Sequence, residues 1–111
     1  MHSPLKPILS LTALLLALSM LGSASHAQDP AQRGHALLKE YCASCHAIGK
    51  TGGSPMRSAI PFRALGRSFD LDEFPRLLRR GISSSHPAMP EFKFSEDDAR
   101  AVTAYVRSIQ R

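Results

Sequence analysis

The sequence predicts an all-α domain of short helices joined by long loops, and three observations predict it. No run of alternating apolar and polar residues reaches strand length. Three stretches carry apolar residues at helical spacing and are opened by a capping side chain or closed by glycine or basic residues. Between them lie segments rich in proline, glycine and serine that interrupt any regular pattern.

The first 27 residues read as an address and not as part of the fold. Lys6 precedes Ile8–Leu21, a run of 14 residues dominated by Leu and Ala, and "SASHA" then offers the small side chains of Ser25 and Ala27. That is the order of a secretory signal peptide, with cleavage expected after Ala27. A membrane anchor is the alternative, but crossing the hydrocarbon core takes about 20 apolar residues. Cleavage leaves one domain, residues 28–111, outside the cytosol. The expected location is the periplasm, or a membrane tether if the leader stays.

The first helix is expected in "DPAQRGHALLKEYC", where Asp29 caps free amides and Pro30 takes the first helical position, which tolerates a missing N–H. Leu37, Leu38 and Tyr41 mark its buried stripe. Gly34 sits inside it at a cost of about 1 kcal/mol against alanine, and a close backbone approach would explain its use. Residues 47–66 read as loop, with Gly49, Gly52, Gly53, Pro55 and Pro61. A second, shorter helix is expected in "DLDEFPRLLRRG", with Asp70 and Glu73 as a capping box, Phe74, Leu77 and Leu78 as the apolar face and Gly81 as the stop. Pro75 must then fall in the first turn. "ISSSHPAMPEF" reads as extended loop. The last helix has the clearest signals: Ser95 caps, Glu96, Asp97 and Asp98 stand at the positive end of the dipole, and Arg107 and Arg111 stand at the negative end. Val102, Tyr105, Val106 and Ile109 form its apolar face.

Without the leader the chain has 84 residues, a small interior and a reason to rely on something bound as part of its core. Its 13 basic against 9 acidic residues give +4. That excess suits acidic partner surfaces but is too dilute to argue for nucleic acid.

The two cysteines of the chain stand in "YCASCHAIGK", three apart, with His46 directly after the second. On a helical turn both thiols emerge on one face. In an exported chain a local disulfide is the plainest reading. A thioredoxin-like pair calls for alternating strands and helices, which are missing. Structural zinc needs four ligands, and neither His35 nor His86 stands at a suitable spacing. Covalent haem remains: Cys42 and Cys45 become thioethers on its two vinyl groups and His46 an axial ligand, the C-x-x-C-H attachment signature. Met89 is the expected second axial ligand, since a Met/His pair raises the reduction potential in cytochromes c. Pro87 and Pro90 stiffen its loop. Met56 reads as a loop or cover residue, and His86 as a solvated or backbone-bonded rival of Met89.

On these residues the chain resembles a class I c-type cytochrome along nearly its whole length after the leader. The resemblance implies that the first and last helices pack together, with Gly34 and Leu38 meeting Val102 and Tyr105 and an aromatic side chain laid across Gly34. It implies a proline, Pro61 or Pro55, whose carbonyl accepts a hydrogen bond from His46. "MPEF" is similar to the methionine loop of the family. The expected protein is a small all-α cytochrome c domain wrapped around one covalently bound haem c, a periplasmic monohaem carrier of single electrons and not an enzyme. Its expected partners are redox proteins with acidic docking surfaces, met as a monomer or in transient complexes. The alternatives are a haem protein whose sixth ligand leaves, acting as gas sensor or peroxidase-like enzyme, and a cytochrome subunit of a larger oxidoreductase.

Overall fold

Asp29 accepts a hydrogen bond from the Ala31 N–H at 3.1 Å and opens helix α1, Pro30–Tyr41. The computed structural model describes residues 29–82 and 86–111, so the leader expected over residues 1–27 lies outside the described residues. None of the described helices is long and apolar enough to cross a membrane. Three further elements follow: a 3-10 helix η1, Phe62–Arg67, helix α2, Phe74–Arg80, and helix α3, Glu96–Ser108. The architecture is all-α, and among the described residues β pairing is limited to one isolated bridge, Ile82 with Phe92.

The last helix forms where its caps and charges predict. Ser95 Oγ accepts from the Asp98 N–H at 3.2 Å, and Arg100 bridges back to Glu96 and Asp97 within the first turns. Its inward stripe of Ala99, Val102, Val106 and Ile109 is buried. Thr103, buried on the same helix, satisfies its hydroxyl on the Ala99 carbonyl at 2.8 Å.

Helices α1 and α3 make the main contact of the fold. Leu38, Val102 and Val106 are its fully buried side chains, each contributing roughly 1.5–3 kcal/mol of apolar burial. Gly34 is the reason the backbones come so near: a Cβ there would stand 2.0 Å from the Ala101 carbonyl oxygen. What an added Cβ at Gly34 would meet first is therefore helix backbone. The aromatic of this region, Tyr105, packs on the His35 ring at 4.8 Å and donates to the Ile48 carbonyl at 2.6 Å. Arg33 Nε adds a bond to Asp98 Oδ1 at 2.7 Å across the crossing.

Two expectations are corrected. Residues 62–67, read as loop, form η1, with Pro61 as its cap residue at a φ of −64°. Six residues are too few to show a period, and the bonds that hold this turn come from far along the chain. The expected capping box is also absent: α2 begins at Phe74, and Asp70 Oδ1 accepts from the Asp72 N–H at 2.8 Å in a preceding turn. A short local Asx contact outcompetes the longer reach to a helix start. Pro75 does fall in the first turn, and Gly81 ends α2 with a φ of 109°, a conformation glycine adopts without a Cβ penalty.

Candidate functional site

The C-terminal turn of α1 carries the cysteine motif. Cys42 N–H and Ala43 N–H both donate to the Leu38 carbonyl, at 2.8 and 3.0 Å, and His46 N–H closes one further turn on the Cys42 carbonyl at 2.9 Å. This winding sets Cys42, Cys45 and His46 on one wall of a cavity of about 720 Å³. The thiols are not joined in a disulfide. Burial, and to a lesser degree the neighbouring Cys45, pushes the Cys42 thiol up to about 11. A thiol so raised is protonated at neutral pH, the opposite of what thiol–disulfide exchange asks of its attacking cysteine.

His46 is held at its other nitrogen. Its Nδ1 lies 2.7 Å from the Ile60 carbonyl, and its ring packs on Phe62 with centroids 4.7 Å apart and planes inclined by 32°. With Nδ1–H donating to that carbonyl, Nε2 keeps its lone pair and the ring a defined direction. The acceptor thus belongs to neither Pro61 nor Pro55 but to Ile60. The residue before a proline is confined to extended backbone, and Pro61 has no N–H to compete for neighbouring acceptors. Phe62 is fastened in turn, its N–H donating to the Ala47 carbonyl at 2.9 Å.

The remaining walls are mostly apolar. Leu38 and Val102 come from the α1–α3 crossing, Phe74, Leu77 and Leu78 from α2, and Phe92 and Phe94 from the strand-like stretch before α3. Met89 lines the same cavity, as do Met56 and the exposed His86. The Ile82–Phe92 bridge, with bonds of 2.9 and 3.3 Å, pins both ends of the loop that carries Met89. Within that loop Met89 N–H donates to the His86 carbonyl at 3.1 Å. The sequence-expected residues Cys42, Cys45, His46 and Met89 are therefore brought together around one space.

Among the described residues no Asp, Glu, Lys or Arg lines that space. Its volume falls within the roughly 300–1,000 Å³ of small-molecule and cofactor sites. Two thiols, an imidazole with a fixed free nitrogen and a thioether, all in an apolar wall, are the donor set for a large flat apolar group bearing a metal. Among the described residues no group of three or more His, Cys, Asp or Glu side chains could hold a bare metal ion. The residues fit a haem.

Sequence reasoning missed two parts of this site. Ile60 acts through its backbone, which no side-chain pattern reports, and Phe62 stood in a stretch read as loop. A signal was present in "IPFRAL", where an aromatic follows the proline directly. Tyr41 and Phe69, 44% and 45% exposed, also line the cavity and are the large apolar side chains left at the surface among the described residues. Arg63, whose Nη1 is buried without a hydrogen-bond partner, does not line it.

Comparison with known proteins places the chain among c-type cytochromes. Residues 29–106 match the family model described as cytochrome c oxidase, cbb3-type, subunit III. The chain is 30% identical over 110 residues, 99% of each protein, to cytochrome c-552 of Bradyrhizobium diazoefficiens. No solved structure matches.

Proposed function

This chain belongs to the small class I c-type cytochromes, and from that premise we propose that it is a monohaem electron carrier of the periplasm with His46 and Met89 as its axial ligands. The observation that carries the reading is the apolar cavity lined by Cys42, Cys45, His46 and Met89. A haem bound there supplies one-electron chemistry, its iron alternating between ferrous and ferric states.

The protein contributes attachment, orientation and burial. Cys42 and Cys45 would hold the group covalently as thioethers. His46 presents Nε2 while Ile60 and Phe62 hold the ring. Met89 offers a soft sulfur from a loop stiffened by Pro87 and Pro90, and the Met/His pair raises the reduction potential. With both side chains serving the iron, no position remains for a substrate, which separates a carrier from a gas sensor or peroxidase-like enzyme. Phe74, Leu78 and Val102 exclude water and keep the local dielectric low.

Charge supports acidic redox partners. Arg79 and Arg80 on α2, and Arg57 beside Met56, are exposed and form no ion pair among the described residues. The encounters are brief, since complexes of this kind bury little surface. The name of the matched family also raises a second reading, a subunit of a terminal oxidase.

The test is expression with a haem-attachment system, followed by the mass and visible spectrum of wild type, Met89→Ala and His86→Ala. One covalent haem is expected in all three. Only Met89→Ala should bind added carbon monoxide or cyanide and lose reduction potential. If His86→Ala opens the iron and Met89→Ala does not, the axial assignment fails.

A further inference from the structure

Both groups that hold the His46 ring come from one short stretch: the Ile60 carbonyl at Nδ1 and the Phe62 ring against its face. The bonds that place this stretch are made largely by the other end of the chain. Gln110, two residues beyond α3, uses all of its carboxamide on it and on its own helix. Nε2 donates to the Phe62 carbonyl at 2.8 Å and to the Val106 carbonyl at 2.7 Å, while Oε1 accepts from the Gly66 N–H at 2.7 Å. Phe62 and Gly66 are four apart, the spacing of an α-helical N–H to carbonyl pair. The side-chain amide is thus inserted where that backbone bond would close, and it satisfies both groups from outside.

Gly66 shows how closely the amide is seated, because a Cβ there would stand 2.9 Å from Gln110 Oε1. The other end of the clamp is rigid: Val106 is fully buried in the α1–α3 core. Arg111 N–H adds a bond to the Arg63 carbonyl at 3.1 Å, so the chain end runs beside η1. A line of direct contacts therefore runs from the buried face of α3 through the Gln110 amide to Phe62, and from Phe62 to the His46 ring.

We propose that Gln110 is a positioning residue for the haem-binding histidine: its carboxamide sets the place of Phe62 and Ile60, and through them the orientation of the His46 imidazole. This inference rests on the haem reading given above. Amide hydrogen bonds are directional; losing the donor leaves Val106 O with the Ile109 N–H at 3.3 Å but removes the tie between Phe62 O and the end of α3. Phe62, still held by its N–H on the Ala47 carbonyl, loses its link to the end of α3 and shifts, and the ring packed on it turns with it. The orientation of an axial imidazole governs the spread of the haem-methyl resonances in the ferric protein and contributes to the reduction potential.

The test uses the haem-loaded chain with Gln110→Leu, which fills the same space without hydrogen bonds, and Gln110→Glu, which keeps an acceptor for Gly66 but loses both donors when ionised. Arg33→Ala, which breaks only the Arg33–Asp98 bridge between helices, is the control for lost stability. Paramagnetic proton spectra and reduction potentials are compared with thermal midpoints. Gln110→Leu should change the haem-methyl pattern and the potential, and Arg33→Ala should lower the midpoint with both unchanged. Gln110→Glu should show the altered pattern near neutral pH and return toward wild type in acid, where the introduced carboxyl regains a donor. If Gln110→Leu does not accumulate, the acid reversal of Gln110→Glu decides alone. An unchanged haem-methyl pattern in a Gln110 variant with a lowered midpoint would reduce Gln110 to a structural clamp and overturn the proposal. A wild-type protein without covalent haem would overturn the reading beneath it as well, and the visible spectrum separates the two failures.

Discussion

Replacing Gly34 by alanine tests the contact on which the whole architecture rests. The added Cβ would meet the Ala101 carbonyl oxygen at 2.0 Å, its carbon at 2.6 Å and the Val102 nitrogen at 2.9 Å. All three are backbone atoms of α3, so no rotamer change can relieve the clash. Ordinary contact begins near 3.4 Å, and the helices must therefore separate by about 1.4 Å along that line. A gap of about 0.5–1 Å already forfeits roughly a quarter to a half of the dispersion attraction across it. Leu38, Val102 and Val106, each contributing roughly 1.5–3 kcal/mol, bridge this interface, so the loss comes to about 1–4 kcal/mol. Alanine returns about 1 kcal/mol through its better helix propensity. The net expectation is a destabilisation of about 2 kcal/mol, which lowers the thermal midpoint of a domain this size by about 10 °C. Guanidinium and thermal unfolding of the haem-loaded protein, followed by circular dichroism, measure it. Gly53→Ala is the control, since a Cβ there meets nothing within 4 Å and its φ is ordinary. A Gly34→Ala protein as stable as wild type would mean that α1 and α3 do not cross at this glycine.

Three further outcomes are expected. The haem-free chain with Cys42→Ala and Cys45→Ala should be largely unfolded, because much of its apolar surface faces a cavity of about 720 Å³ beside a small core; a cooperative thermal transition with native helical dichroism would contradict this. Burial raises the Tyr105 phenol above its ordinary value of 10.0, so the stability it adds is present below about pH 10 and is lost as pH rises through the higher folded-state value. Urea midpoints should fall over that alkaline range in wild type, and Tyr105→Phe, which loses the bond to Ile48, should start about 1 kcal/mol lower and show a shallower decline; equal slopes would refute the link. Electron exchange with an acidic redox protein should slow as salt rises, because steering between exposed charges is screened over about 10 Å at 0.1 M, and a flat profile would favour an apolar or permanent interface.

Much of the fold was legible because the signals for it are local. Asp29 and Ser95 sit where their side chains reach the first free amides, Gly81 stands where α2 needs a positive φ, and the stripe of Val102, Val106 and Ile109 repeats with the helical period. The cysteine motif was equally legible, since three reactive side chains within one turn share a face whatever the rest of the chain does. Even Gly34 announced a close approach by being a glycine inside a helix. What the sequence by itself determined is therefore the class of the fold, its helices and the chemistry of its motif. Only the tertiary structure decided what touches what. It set the Ala101 carbonyl against Gly34. It chose Ile60 over two prolines as the acceptor for His46, and it wound residues 62–67 into a turn held by Gln110, 48 residues from its Phe62 acceptor. The physical reason is the same in each case: these contacts use backbone carbonyls and amides, which every residue carries alike, so that only the packing of distant segments singles out one of them.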